Sequence, residues 1–289
     1  MIYVLYNPLA GNSTCEENCK DVKDIFASDE IQYIDLLTVG DLETYIRGFQ
    51  PDDMIVICGG DGTLNHLINS IDTSKLEQDI YYFPAGSGND FCHDIDEEGT
   101  KGVCRINMYL KCIPKVRVNG MERLFINGIG YGIDGYCCEE GDKKRVKRPG
   151  KRVNYSIIAL KGLAYDFHPV NAKVTVDGKT REFKNVWMAP AMNGRFYGGG
   201  MMCAPNQDRM NEEGLVSVIV VHSRLRLGLL VAFASVFKGQ HLRYKRLVTE
   251  IMGSDVTVEF DRPTALQIDG ETVTNVLKYE VHKEKKIIC

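Results

Sequence analysis

The stretch 54–69, MIVICGGDGTLNHLIN, decides the fold of the first part of the chain. Residues 54–58 are apolar and bounded by glycine, which predicts a buried strand, and residues 63–69 carry apolar side chains at helical spacing. The glycine-rich bend therefore joins a strand to the start of a helix. Its glycines would let backbone N–H groups approach a ligand, and a helix start favours negative charge. The bend is thus predicted to hold a phosphate.

Asp61 lies inside this bend, where a lone carboxylate would repel a phosphate. A divalent cation between the two groups would turn the repulsion into coordination, so the pairing predicts a magnesium nucleotide. The same residues also have a purely structural interpretation. GGDGT can be only a tight turn, and Asp61 only a capping residue.

The composition is that of a globular protein. Of 289 residues, 44% are hydrophobic and 26% are charged, with a net charge of -4, which argues against a disordered or nucleic-acid-coating chain. The ten cysteines lack the paired spacings of zinc ribbons and are interpreted as reduced, mostly buried thiols. We see no secretion signal, and the apolar segment 225–237 is too short to span a bilayer, so we expect a cytoplasmic protein.

The first hundred residues alternate short apolar runs with helical patterns, as in a parallel sheet covered by helices. Glycine-bearing polar turns follow three predicted strands: NPLAGN (7–12), GGDGT (59–63) and PAGSGND (84–90). Ligands of such sheets bind beyond the carboxyl ends of the strands, so we expect all three turns at one edge. None of them is a P-loop or a dinucleotide fingerprint.

From about residue 114 the pattern changes to strand-like runs joined by Gly and Asn turns. This predicts a second, antiparallel β domain, interrupted by helices near 155–166 and 225–240.

The motifs NPLAG, GGDGTLN and PAGSGND, in this order and spacing, resemble the catalytic domain of the diacylglycerol kinase family. That family includes sphingosine and ceramide kinases and is related to NAD kinases. FINGIGYGIDG (125–135), the block 197–221 and LQIDGE (266–271) resemble the family's second-domain blocks. The resemblance therefore covers essentially the whole chain.

The resemblance implies an α/β plus β fold. It predicts a Rossmann-like α/β nucleotide domain at 1–112, to which residues 278–289 return, and a β-sandwich lipid-substrate domain at 113–277. The active site is expected in the cleft between the two domains.

The resemblance also implies ATP and Mg2+ as cofactors. GGDGT is expected to bind the ATP phosphates, PAGSGND to help form the nucleotide site, and Asp61 to be tied to magnesium and to catalysis. The residues expected to bind the cofactor are Asn7, Gly11, Gly59, Gly60, Asp61, Gly62, Thr63, Gly86, Ser87, Gly88, Asn89 and Asp90.

Phosphoryl transfer to a hydroxyl needs a group that accepts the hydroxyl proton. Asp269 and Glu271 are two carboxylates at strand spacing that would share a face, although DG is equally the sequence of an exposed hairpin turn. Such a pair suits one proton acceptor and one metal or water partner. The resemblance makes Asp269 the candidate general base, which leaves Glu271 as the second catalytic carboxylate. Asp134 in GYGIDG is expected to face the lipid hydroxyl or to join a network of carboxylates and water.

The chain departs from the family pattern at two positions. Some bacterial relatives hold a structural magnesium through a carboxylate just before the glycine of a DG turn, and here the turn is NEEGL, so the candidate ligand is Glu213. His66 stands where relatives commonly carry glutamate. A lone histidine is more often a surface or packing residue than a catalyst, and we assign it no role.

The segment KKRVKRPGKR (143–152) holds seven basic residues in ten within an acidic protein. It is either a solvated loop or a membrane contact, because anionic lipids attract such a segment by about 1 kcal/mol per basic residue. Aromatic residues that would stack on bases do not interleave it. We expect peripheral membrane association, a lipid substrate at the inner membrane surface, no nucleic acid, and a homodimer as an assembly that the sequence leaves open.

The main prediction is an ATP- and Mg-dependent phosphotransferase that makes phosphatidic acid from diacylglycerol in phospholipid metabolism. Two alternatives stay open. One is a kinase for another hydroxyl acceptor, such as a sphingoid base, a different lipid or NAD. The other is a nucleotide-binding regulator that has lost turnover.

Overall fold

A change from parallel to antiparallel strands divides the chain after Ile113. The computed structural model describes residues 1–28, 30–95, 102–148 and 153–286. Unit 1 comprises Met1–Ile113 and Gly198–Gly200, and unit 2 comprises Pro114–Tyr197 and Met201–Cys289.

Unit 1 is built on a five-stranded sheet in the order β2-β1-β3-β4-β5, in which the first four strands are parallel and β5 is an antiparallel edge. Its elements are β1 (Ile2–Tyr6), α1 (Cys15–Asn18), α2 (Val22–Phe26), β2 (Ile31–Asp35), α3 (Leu42–Arg47), β3 (Met54–Gly59), α4 (Asp61–Ser70), β4 (Asp79–Pro84), α5 (Asp90–Ile95) and β5 (Cys104–Arg105). The predicted alternation of strands and helices is confirmed.

The central strand β3 is buried along nearly its whole length, which explains its uninterrupted apolar sequence. Val56 and Cys58 pack with Val4 and with Cys15 and Cys19 of the first helical segment. The nine described cysteines carry free thiols, and six of them are buried.

Unit 2 contains a ten-stranded antiparallel sheet. Its elements are β6 (Lys115–Val118), β7 (Met121–Leu124), β8 (Gly128–Tyr131), α6 (Ile133–Lys147), α7 (Tyr155–Lys161), β9 (Val170–Val176), β10 (Lys179–Met188), β11 (Ala191–Met192), β12 (Phe196–Tyr197), β13 (Met201–Met202), β14 (Val216–His222), α8 (Arg226–Val236), β15 (Val248–Gly253), β16 (Asp255–Ile268) and β17 (Glu271–His282). The strands β12 and β13 form a separate short pair.

The long strand β16 holds this β-rich unit together. Its first half pairs with β9, its last residues pair with β8, and β17 follows it along both halves. The register shifts between Glu259 and Thr264, around Pro263, which has no N–H to donate to a ladder. The strand thereby connects two parts of the sheet around a core that includes Val174, Val218 and Leu266.

Three helices cover part of this sheet through a second apolar cluster that includes Ile133, Ile158, Trp187 and Leu229. The sequence predicted α7 and α8 but missed α6, because α6 is largely polar with little apolar periodicity. The first part of the basic segment therefore lies on a helix and not in a loop, while residues 149–152 lie outside the described residues. No described helix is both long enough and apolar enough to cross a membrane.

The expected return of residues 278–289 to the first domain is wrong for the described part of that segment. Tyr279 pairs with Val118 and Lys278 with Glu259, so β17 is hydrogen-bonded on both sides within unit 2. After the strand, Lys286 N–H donates to the Glu212 carbonyl of the same unit. Residues 287–289 lie outside the described residues.

Candidate active site

The three glycine-bearing turns of unit 1 meet at one edge of the parallel sheet. They follow β1, β3 and β4, and parallel strands place their carboxyl ends together. Asn7 Nδ2 donates to Thr63 Oγ1 at 3.3 Å, and Ala85 N–H donates to the Gly59 carbonyl at 2.8 Å. The turns lie at one edge, as the sequence predicted, and direct hydrogen bonds join them.

Glycine is required where two of these turns approach each other. A Cβ on Gly86 would lie 2.3 Å from the Cα of Gly60, and a Cβ on Gly11, whose φ is +60°, would lie 2.3 Å from the Ala85 carbonyl oxygen. At both positions a backbone atom of the neighbouring turn leaves no room for a methyl group. Gly62 differs, because a Cβ there would meet nothing within 4 Å.

Asp61 is a cap for the helix that follows the third turn. Its Oδ2 accepts the Asp90 N–H at 3.0 Å, and its Oδ1 accepts the Phe91 N–H at 2.9 Å. These are amides at the start of α5, where a helix has no acceptors of its own. The capping interpretation of Asp61 is therefore correct, and its magnesium role stays a prediction.

Asp90 connects the same helix start to Gly198–Gly200. Its carboxylate accepts the N–H groups of Gly199 at 2.8 Å and Gly200 at 2.6 Å. Burial, and secondly the charge of Asp61, raise the pKa of Asp90 to about 6, against the lowering effect of the two glycine amides. Within the turn, Asn89 Oδ1 accepts the Gly86 N–H and its Nδ2 donates to the Gly86 carbonyl, both at 3.0 Å.

The other predicted residues of this edge lie in three settings. Thr63 is buried, and a Cβ on Gly59 would lie 2.2 Å from its Oγ1. Ser87 is exposed at the tip of the third turn, with Gly88 beside it and only 3.3 Å between a Gly88 Cβ and Asp61 Oδ2. His66 is an exposed residue of α4, and its Nδ1 lies 3.4 Å from Ser70 Oγ.

In unit 2, Asp269 lies in a two-residue hairpin turn between Ile268 and Glu271, and its φ of +44° is of the kind that such turns need. Its Oδ2 accepts the Ile126 N–H at 2.6 Å, and its Oδ1 accepts the N–H groups of Asn127 and Gly128 at 2.9 and 3.0 Å. Three amide donors fix this carboxylate and stabilise its charge. Asp269 therefore does lie in a DG hairpin turn, and its hydrogen bonds anchor that turn to residues 126–128.

Glu271 and Asp134 lie near the same turn with different partners. Glu271 forms an ion pair with Arg123, and its side chain is 53% exposed. Gln267 Nε2 donates to Asp134 Oδ2 at 3.0 Å, while Gln267 Oε1 accepts the Gly270 N–H at 2.6 Å. A single glutamine therefore links Asp134 to the Asp269 turn.

Asp134 is closely surrounded, yet part of its surface stays accessible. A Cβ on Gly130 would lie 1.4 Å from Asp134 Oδ2, so that glycine makes room for the carboxylate. Burial raises the pKa of Asp134 to about 6, and hydrogen bonds from Gln267 and Tyr197 lower it part of the way back. The group ionises as the pH rises through about 6. Because its ordinary pKa is 3.8, the stability of the folded state falls as the pH rises from 3.8 to about 6 and stays lower above that.

Comparisons with known proteins match both units. Residues 1–111 match the family model of the diacylglycerol kinase catalytic domain, and residues 127–281 match the YegS C-terminal NAD kinase beta sandwich-like domain. The chain belongs to the diacylglycerol kinase family. The family and the fold identify a kinase that phosphorylates a hydroxyl acceptor.

The similar proteins align with most of the length of this kinase. A Bacillus subtilis (strain 168) protein named "Putative lipid kinase YtlR" is 25% identical over 295 residues, 93% of this chain and 92% of its own. A diacylglycerol kinase of Mycobacterium tuberculosis (strain ATCC 25618 / H37Rv) is 26% identical over 204 residues, 68% of this chain and 64% of its own. A solved structure of a diacylglycerol kinase from Bacillus anthracis str. Sterne shares the fold, with a TM-score of 0.67 and 18% identity over 98% of this chain and 94% of that one.

Glu213, the predicted ligand of a structural metal ion, lies in a loop that a buried lysine contacts. Glu213 is exposed, and no three acidic, histidine or cysteine side chains cluster among the described residues. Lys283, only 1% exposed, donates its ammonium to the Arg209 carbonyl at 2.8 Å. The Lys283 backbone also lies against Gly214, and Arg209 is itself buried. Lys283 therefore holds this loop, and a metal role for Glu213 stays a prediction.

Sequence reasoning missed the partners of the predicted carboxylates. Gln267 and the amides of 126–128 lie in the motifs LQIDGE and FINGIGYGIDG, Arg123 lies just before the second of these, and Gly199 and Gly200 lie in the block 197–221. None of these motifs shows which groups its residues bind. Strand alternation gives no information on which backbone segment faces a turn. The one available signal was the repeated glycine in GIGYG and YGGG, which marks close backbone approach.

The glycine contacts predict opposite outcomes for two alanine substitutions. Gly86→Ala forces backbone against backbone and should cost about 1–3 kcal/mol of stability. Gly62→Ala has space and lies in the first turn of a helix, so stability should stay the same or rise, while ATP binding weakens if phosphates approach this backbone. Thermal unfolding and titration with a fluorescent ATP analogue measure both effects. A Gly62→Ala variant that binds like the wild type would argue against a phosphate site here.

The Lys283 contact predicts that unit 2 needs no divalent metal for stability. EDTA should leave the thermal unfolding midpoint unchanged, whereas Lys283→Met, which removes the buried hydrogen bond to the Arg209 carbonyl, should cost about 1–3 kcal/mol. The exposed neighbour Lys285 supplies the matched control, Lys285→Met, which should unfold like the wild type. A midpoint that falls in EDTA and recovers with magnesium would show that a metal holds the loop after all.

Proposed function

We propose that this protein is an ATP- and Mg2+-dependent lipid kinase that phosphorylates diacylglycerol to give phosphatidic acid. The observation that carries the proposal is the convergence of three glycine-bearing turns at the carboxyl edge of the parallel sheet, held by Asp61 and by the Gly60–Gly86 approach. Such an edge presents backbone amides and a helix start, which suit the phosphates of a nucleotide. The family match supports the lipid acceptor.

Magnesium would be held mainly by the nucleotide phosphates, with Asp61 as the carboxylate available at this edge. The described residues bring no three metal-binding side chains together, which fits an ion that arrives with its nucleotide. When bound, the ion would neutralise charge on the transferred phosphoryl group.

In the proposed reaction, the hydroxyl oxygen of the acceptor forms a bond to the γ-phosphorus while the bond from that phosphorus to the bridging oxygen of ADP breaks. The hydroxyl proton passes to a carboxylate. The products are the lipid phosphate and ADP, and the carboxylate releases its proton to solvent.

The contacts of unit 2 favour Glu271 over Asp269 as the proton acceptor. The Asp269 carboxylate accepts three backbone N–H groups, so it serves best as an anchor for the turn. The Glu271 side chain is ion-paired to Arg123 but keeps half of its surface open. Asp134, which changes charge near pH 6 and is linked to the turn by Gln267, is suited to a hydrogen bond with the acceptor hydroxyl.

The test is transfer of labelled γ-phosphate from ATP and Mg2+ to diacylglycerol, sphingosine, ceramide, monoacylglycerol and NAD, with the lipids in mixed micelles. We expect label in phosphatidic acid. Glu271→Gln should lower kcat by about 10²–10⁴-fold with nucleotide binding intact, since that is the usual contribution of a general base. Glu122→Gln, which removes another ion-paired carboxylate, should act like the wild type.

The other outcomes separate the alternatives. Label only in NAD or a sphingoid product would show that the acceptor is not diacylglycerol, although the reaction is still phosphoryl transfer to a hydroxyl. ATP binding with no label in any acceptor would contradict the kinase proposal and favour a regulator. A fully active Glu271→Gln variant would overturn the assignment of the proton acceptor.

A further inference from the structure

An exposed apolar surface lies on α7 and the turn after it. Ile157 is 60% exposed, Leu160 55% and Tyr165 76%, all within nine positions of the chain. Single exposed apolar residues are ordinary on a protein surface, but adjacent ones indicate a contact. The opposite side of the helix is accounted for, because Ile158 and Leu163 are buried in the cluster with Trp187.

Leu225, at the start of α8, extends this surface. Leu225 is 75% exposed. The next residue, Arg226, donates to the Leu163 carbonyl at 2.7 Å and to the Phe167 carbonyl at 3.3 Å, so the start of α8 lies beside the turn that carries Tyr165.

Basic side chains border the apolar surface. The start of α7 packs on α6, since a Cβ on Gly141 would lie 2.6 Å from the Tyr155 ring and the Arg145 guanidinium lies 5.7 Å from that ring's centre. The last turns of α6 and the residue after it are exposed and basic. Lys161, beside Leu160, adds a charge that is partly offset by its ion pair with Asp166.

The charges at the end of α6 divide into paired and unpaired ones. Lys143 pairs with Glu139 and Glu140, and Arg145 pairs with Asp142. Within the described ranges no ion pair involves Lys144, Lys147 or Arg148. The positive charge at this border is therefore left for a partner. We call the surface formed by Ile157, Leu160, Tyr165 and Leu225 with Lys144, Lys147, Arg148 and Lys161 the α7 face.

We propose that the α7 face docks the protein on an anionic phospholipid bilayer. The apolar side chains would enter the boundary between head groups and acyl chains, and the lysines and arginine would meet the lipid phosphates. This combination of apolar and basic residues is the one that interfacial helices use. The proposal rests on the proposed function, because an enzyme whose acceptor is a membrane lipid must reach the bilayer.

The experiment is sedimentation of the full-length protein with vesicles of phosphatidylglycerol and phosphatidylcholine, beside vesicles of phosphatidylcholine alone. We expect binding to the anionic vesicles that weakens at high salt. The double variant Ile157→Glu/Leu160→Glu should bind at least tenfold less, and so should Lys144→Glu/Lys147→Glu. The matched control is Leu37→Glu/Met108→Glu, which changes two residues of unit 1 that are 60% and 51% exposed and should change binding less than twofold.

Two outcomes would overturn the proposal. One is equal vesicle binding by the wild type and the Ile157→Glu/Leu160→Glu variant. The other is absent vesicle binding together with a lipid-free dimer that the same variant dissociates, which would make the α7 face a contact between two copies.

Activity on a short-chain diacylglycerol in detergent micelles separates this proposal from the proposed function. The Ile157→Glu/Leu160→Glu variant should keep that activity, because its site is intact. If the protein binds anionic vesicles specifically but phosphorylates no lipid, the proposed docking surface is supported and the proposed kinase function is contradicted. Loss of micellar activity with unchanged vesicle binding would contradict the docking surface.

Discussion

Two hydrogen bonds from the start of α5 to the carboxylate of Asp61 determine how the candidate nucleotide edge is built. A helix as short as α5 is not stable alone, and its first amides need acceptors from outside. Asp61 supplies them from the neighbouring strand-to-helix turn. Hydrogen bonds to a charged group contribute about 1.5–3 kcal/mol each, enough to hold two loops in one arrangement before any ligand arrives.

The tight approach of Gly60 to Gly86 follows from that arrangement. With Asp61 bound to the amides of α5, the two turns are drawn together until only glycine fits between them. Asp90, whose own N–H binds Asp61, accepts the N–H groups of Gly199 and Gly200 with its carboxylate. A residue predicted to bind magnesium thus also has a structural task, which is to cap α5.

Unit 2 repeats this principle with Asp269. Its carboxylate binds amides 141 to 143 positions earlier in the chain, and Asp61 binds amides only 29 and 30 positions later. The first kind of contact is invisible in a sequence, whereas the second follows from adjacent strands of a parallel sheet. This difference explains why the edge of unit 1 could be predicted loop by loop, while the anchoring of Asp269, the Gln267 link to Asp134 and the Arg123 partner of Glu271 could not.

The elements of the fold show the same limit. Strand β1 lies where its apolar run predicts, since a buried parallel strand is a run of consecutive apolar residues. The helix α6 was missed because its polar surface has little periodicity, and the place of β17 was wrong because pairing with β6 and β16 is a long-range choice. Lys283 illustrates a further kind of surprise: a lysine, which would normally be exposed, is buried and donates to the Arg209 carbonyl.

The central claim is that nucleotide phosphates bind at the edge formed by the turns of unit 1. The most direct measurement is a titration of ¹⁵N-labelled protein with ATP and Mg2+, followed through the backbone amide resonances. Binding at this edge predicts saturable shifts in residues 59–63 and 86–91, with the amides of 126–128 little changed. Shifts confined to unit 2, or none at saturating ATP, would contradict it.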